Sequence, residues 1–141
     1  MRINREYNET MEDSIFTKII KGEIPCYKIY EDGETIAFLD ISPNVTGHTL
    51  VVPKVQVDQF NHLDDAQYTA LWRVVKKIAN NHQQKLGTDR VGITIKGVDV
   101  PHAHVHVLPF NIGGHMGKHA DSPTPTPEEL AELATRLRIS D

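Results

Sequence analysis

Pro101-His102-Ala103-His104-Val105-His106-Val107-Leu108-Pro109 is the stretch on which the reading of this chain turns. Side chains alternate faces along a β-strand, so His102, His104 and His106 share one face and Ala103, Val105 and Val107 the other. The apolar face suits a packed core, and the opposite face becomes a row of three imidazoles. A strand over Val100 to Leu108 is therefore predicted. Immediately upstream, Arg90 to Lys96 reads as another strand, and Gly97-Val98-Asp99 as the tight connection between the two.

Further upstream the period changes to that of a helix over Asp65 to Leu86. Asp64 is the expected N-cap and Gln67 completes a capping box. Tyr68, Leu71, Val75, Ile78, His82 and Leu86 form the expected inward stripe, and Gly87 stops the helix. Before it, His48-Thr-Leu-Val-Val-Pro53 reads as a strand covered on both faces. Tyr27–Glu31 and Thr35–Ile41 read as a hairpin around Asp32-Gly33. Ser14-Ile-Phe-Thr-Lys-Ile-Ile-Lys21 is a short helix capped by Asp13 or Ser14. Downstream, 109–125 is a Gly- and Pro-rich surface loop. Thr126-Pro-Glu-Glu129 then opens a terminal helix over 126–138. The order α, β, β, β, α, β, β, α predicts an α+β fold: a five-stranded, mainly antiparallel sheet with a long helix and shorter terminal helices.

The chain has 141 residues, enough for one domain with its own core. Residues 1–12 read as a polar tail and 13–141 as a single domain. The lone Cys26 excludes an internal disulfide and any Cys-x-x-Cys site. A net charge of −4, with Lys and Arg scattered, argues against binding nucleic acid or a membrane surface by bulk charge. No run is long enough to span a bilayer, and the polar start lacks a signal-peptide core. A cytoplasmic protein is expected.

Three readings of the imidazole row compete. It is an exposed strand face rich in His, a metal site, or a centre of nucleophilic catalysis. Neutral His is a common zinc ligand, but a third ligand from one strand must bend inward, and no Cys or nearby carboxylate completes a set. An imidazole nitrogen can instead attack phosphorus, splitting one hard displacement into two easier ones. Neighbouring imidazoles then stabilise phosphate charge and set the tautomer of the nucleophile.

PHAHVHVLP resembles the signature of the histidine triad (HIT) family. Three earlier blocks resemble that family in the same order: DSIFTKIIKGEIP, YEDGETIAFLDISP and GHTLVVPK. Together they cover about Asp13 to Pro109 and are closest to the small nucleotide-binding branch. The resemblance implies a homodimer that binds nucleoside phosphates of the AMP or GMP type. It also implies cleavage of a nucleoside 5′-phosphoryl bond, in a dinucleoside polyphosphate or a phosphoramidate, through a nucleotidyl-histidine intermediate. On that resemblance His104 is the nucleophile, His106 contacts the α-phosphate, His102 supports the nucleophile, and His48 lines the phosphate site. Asp40 matches an acid that binds ribose hydroxyls, and could equally start a turn. Phe16, Ile19, Phe38 and Ile41 match an apolar slot for the base, and could equally be core. No cofactor is required, although a divalent ion can accompany a polyphosphate substrate.

Two departures from the family pattern stand out. The segment Lys96-Gly-Val-Asp-Val-Pro101 is short, and it lacks the Gln or Ser that relatives carry just before the first His. This motivates an alternative, a purine nucleotide-binding module with little activity. Ser14 and Thr17 also stand where some relatives carry a Cys-x-x-Cys zinc site, so no structural zinc is expected.

Overall fold

A computed structural model describes residues 12–140; the tail expected over 1–12 lies, apart from Glu12, outside the described residues. The elements in chain order are α1 (Ile15–Ile20), β1 (Lys28–Glu31), β2 (Thr35–Leu39), β3 (Thr49–Pro53), a 3-10 turn (Phe60–His62), α2 (Asp65–Leu86), β4 (Arg90–Thr94), β5 (Val105–Phe110) and α3 (Pro127–Leu137). The five strands form one antiparallel sheet in the order β1-β2-β3-β5-β4. The long helix returns the chain so that the β4–β5 hairpin docks with β5 against β3, aligning Leu50 with His106.

Strand parity divides the molecule. Ala37, Leu39, Val51, Val105 and Val107 face a core shared with Leu71, Val75 and Ile78 of α2 and Leu130, Ala134 and Leu137 of α3. Ile36, Phe38, Leu50 and Val52 face the other way, into a smaller cluster closed by Phe16 of α1. His106, next to Val105 and Val107 in β5, belongs to this second side. One layer of helices covers one face, and the short α1 leaves much of the other to the histidines.

The helix ends carry the expected chemistry. Asp64 and Gln67 form the capping box of α2, and Thr126 and Glu129 that of α3. Ser14, not Asp13, caps α1 by accepting from the Thr17 N–H. The stripe of α2 differs at one end: Tyr68 is 42% exposed, whereas Val74 is buried. Tyr68 packs its ring against Trp72, one turn on, and is otherwise open to solvent.

The predicted last strand begins too early. β5 starts at Val105 because Pro101 has no N–H to pair and the His102 N–H turns back to the Val100 carbonyl at 2.8 Å. The Ala103 N–H then bonds Val57 O at 2.7 Å. His102 and His104 thus lie on a bent approach to the strand, and only His106 sits within it. At the other end β5 runs through Pro109 to Phe110, into the expected loop. β3 has ended opposite Val107, so Pro109 has β4 alone as a neighbour and its missing donor is tolerated there. No helix among the described residues is long and apolar enough to cross a membrane.

Candidate active site

Four histidines converge where β3, β5 and α1 meet. His48, His102, His104 and His106 are all buried, and the ring centroids of His104 and His106 lie 5.0 Å apart, those of His48 and His106 5.2 Å. The bend before β5 does not scatter the row; it folds it into a cluster.

The backbone assigns each tautomer. A neutral imidazole has one N–H and one lone pair, so a fixed partner on one nitrogen determines the other. The Asn44 N–H donates to His48 Nδ1 at 3.0 Å, which places the His48 proton on Nε2. That N–H donates to His106 Nδ1 at 2.9 Å, and the His106 proton is therefore on its own Nε2. His106 Nε2 is buried with no hydrogen-bond partner among the described residues, an orphaned donor whose desolvation is unfavourable until an acceptor arrives. His104 Nδ1 bonds the carbonyl of His102 at 2.8 Å, which puts its proton there and leaves the Nε2 lone pair open.

His102 is held from both sides. Its Nε2–H donates to Pro53 O at 2.7 Å, and its Nδ1 accepts from the Ser14 hydroxyl, also at 2.7 Å. The Thr17 hydroxyl donates to Gln56 Oε1 at 2.6 Å, and Gln56 Oε1 also accepts the Ser14 N–H. Ser14, Thr17 and Gln56 thus tie α1 and the segment after β3 to the first histidine of the row. The sequence marked Ser14 as a candidate helix cap and, with Thr17, as a position where some relatives carry Cys. Gln56 carried no signal, since its partners are about forty residues away.

Burial favours the neutral form of His48, His102 and His106. Desolvation lowers the pKa of His102, and that of His48, where the Asp40 carboxylate opposes the shift. It lowers His106 to about 4, helped by the neighbouring His104 and His48. His82, one turn from the end of α2, is also pushed by burial to about 4. It lies behind the site and donates to Thr49 Oγ1 at 2.8 Å; that hydroxyl donates to Gly47 O, bracing the turn before His48. This role was not visible in the sequence, which placed His82 only on the inward stripe.

Asp40 sits 3.6 Å from His48 through Oδ2, while its Oδ1 accepts the Ser42 N–H in a turn. The turn reading and an available carboxylate oxygen therefore coexist. Asp40 Oδ2, His48 Nε2 and His106 Nδ1 are close enough to hold a metal ion. A metal on His48 Nε2 would place the proton on Nδ1, against the Asn44 N–H, so the backbone opposes ligation there.

The apolar residues divide. Phe16 packs edge-on against Phe38 at 5.7 Å and against His104 at 4.9 Å. Both phenylalanines are buried, Ile19 is half-buried beside them, and Ile41 is 71% exposed. A cleft of about 570 Å³ opens on the other side of Asp40 and His48, between the 39–48 segment and α3. The three histidines of the row do not line it.

A five-stranded antiparallel sheet carrying a tautomer-locked histidine row defines a histidine triad protein. The chain matches the HIT domain over residues 21–111 and belongs to that family. An uncharacterised HIT-like protein of Borreliella burgdorferi is 36% identical, over 92% of this chain and 99% of that one. The adenosine 5′-monophosphoramidase of Schizosaccharomyces pombe is 33% identical, over 87% and 94%. A crystal structure of a Hit-like protein involved in cell-cycle regulation from Bartonella henselae, with an unknown ligand, superposes with a TM-score of 0.78 at 30% identity. It covers 89% of this chain and 95% of its own.

Proposed function

We propose that the protein is a cytoplasmic nucleotide hydrolase or transferase that cleaves a nucleoside 5′-phosphoryl bond through His104. The observation that carries this is the His104 Nδ1–His102 O bond, which presents an unprotonated Nε2 beside the orphaned His106 N–H. In the first step the Nε2 lone pair attacks the α-phosphorus. A P–Nε2 bond forms, the bond to the leaving group breaks, and the leaving group departs with its electron pair; an amine leaving group takes up a proton from solvent as it departs. The His102 carbonyl stabilises the cationic ring through the Nδ1 proton. Water then attacks phosphorus, the P–N bond breaks, and the electron pair returns to Nε2 as the nucleoside monophosphate is released. The water proton leaves to solvent or the departing phosphate. The His106 Nε2–H binds a phosphate oxygen, and the His48–His106 bond keeps that donor in place. Asp40 Oδ2 accepts from the ribose hydroxyls, and Phe16, Ile19, Phe38 and Ile41 border the base. The monophosphoramidase name of the fission yeast relative supports this class of reaction.

The experiment compares wild type with His104→Ala on a fluorogenic adenosine phosphoramidate and on diadenosine tetraphosphate. Wild type is expected to turn over at least one, and the variant to lose at least 10³-fold with its fold retained. Equal activity in the variant refutes the mechanism. One observation favours the second reading, a nucleotide-binding module: Val100 and Pro101 offer no polar side chain ahead of His102. AMP binding without turnover of either compound would select it.

We further propose a homodimer built on α2 and the β4 edge of the sheet. Trp72 supports this, because its indole N–H is buried without a partner among the described residues, beside the exposed Tyr68.

A further inference from the structure

Among the described residues the site holds one unused donor for phosphate, the His106 N–H, and burial favours the uncharged form of His48, His102 and His106. A single phosphate can be served by such a site. A second or third phosphate beyond the scissile bond brings charge that neutral donors compensate poorly. The question is which residue faces that charge.

Lys96 is placed to do so. The β4–β5 ladder pairs Ile93 with Val107 and Thr94 with His106. Two residues beyond the last pair, the same alternation turns Lys96 toward the face that Thr94 shares with His106. Pairing stops at Thr94, and Gly97 turns the chain away at φ +74°, so Lys96 stands at the lip of the site, exposed. The charges agree with the placement. Burial is the main cause of the low pKa values of His48 and His106, and the Lys96 ammonium lowers both further. Lys118, which lowers His48 more than Lys96 does, is committed to the carbonyls of Ser42 and Pro43. Lys96 makes no ion pair or hydrogen bond with any described residue. It is an uncommitted cation whose charge reaches His48 and His106, on the segment where the polar residue of relatives is missing.

We propose that Lys96 is a specificity-determining residue that binds the phosphate beyond the scissile bond. Nucleoside polyphosphates, whose leaving group is anionic, are then the preferred substrate class over compounds with an uncharged leaving group. This rests on the nucleotide reading of the same site. The leaving phosphate oxygen takes the electron pair of the broken P–O bond, and the Lys96 ammonium neutralises the charge without itself transferring a proton.

The test measures AMP and ADP affinity by calorimetry for wild type, Lys96→Met and Lys96→Arg. EDTA is present so that no divalent ion carries the charge. Wild type is expected to prefer ADP by about tenfold, the scale of one charge-assisted hydrogen bond. That preference should weaken with added salt, collapse toward unity in Lys96→Met and persist in Lys96→Arg. The ratio of kcat/KM for diadenosine tetraphosphate to that for the phosphoramidate should fall in parallel. AMP binding with the same ADP preference in Lys96→Met overturns the role of Lys96 and leaves the nucleotide reading standing. Failure of wild type to bind either nucleotide at millimolar concentration overturns both.

Discussion

Ser14 carries two duties with one oxygen: it caps α1 and donates to His102 Nδ1. Its replacement by Ala should reduce stability by about 1–3 kcal/mol, from the lost cap and the unsatisfied buried imidazole nitrogen together. Ser14→Asp separates the duties. An aspartate caps equally well but offers Nδ1 no proton, and so favours the imidazolium or the opposite tautomer. Urea unfolding should rank Thr above Asp and Ala at this position. The ring ¹⁵N shifts of His102 should move in Ser14→Asp and stay in Ser14→Thr; unmoved shifts in both would show that Pro53 O alone sets the tautomer. Some of this was legible beforehand. The triad, His48 and Asp40 could be picked out as residues, and the structure brings all five together. The partners that orient them could not. Ser14 and His102 are 88 positions apart, and no local spacing reveals a bond of that span. Ile41 illustrates the converse, a residue matched by resemblance whose side chain is mostly in solvent.

Among the elements, helices were easier to read than strands. Both long helices announce their ends through capping boxes and Gly or Pro, which are local signals. Strand ends depend on what the neighbouring strand supplies, so β5 was displaced by five residues at its start and two at its end. The loop between β2 and β3 shows how tightly tertiary context constrains such a join. Gly47 has φ +87°, and an added Cβ would lie 2.6 Å from Leu86 Cδ1 of α2. Gly47→Ala should therefore cost about 1–3 kcal/mol through left-handed strain and displacement of Leu86. Because Asp40 and His48 bracket this loop, nucleotide affinity should fall as well. Thermal melts and AMP titration measure the two effects. A variant as stable as wild type would show that α2 yields to the methyl group.

At the scale of the whole molecule, buried histidines make stability depend on pH. His82 and His106 are held near 4 in the folded protein, and His48 and His102 are lowered too. In the unfolded chain each titrates near its ordinary value of about 6.5. Between these values the unfolded state binds more protons, so stability is complete above about pH 6.5 and is lost as pH falls toward 4. The slope for fully buried His82 alone approaches about 1.4 kcal/mol per pH unit. Melting temperature should fall steadily over that window, and less steeply in His82→Gln. A flat profile would show that the imidazoles are charged in the folded state. The proposed dimer belongs to this scale too: sedimentation at micromolar concentration should give twice the chain mass, and a monomer would contradict the α2–β4 surface.

The partners that fix the four tautomers are mostly main-chain atoms: Asn44 N, Pro53 O and His102 O. A point substitution at Asn44 changes a side chain and leaves the N–H that reads His48 where it was. The proton arrangement is thus stored in the course of the backbone and inherited with the fold itself. Drift in the flanking sequence leaves it largely untouched. Ser14 and His48 are the exceptions, the side chains whose replacement can rewrite it.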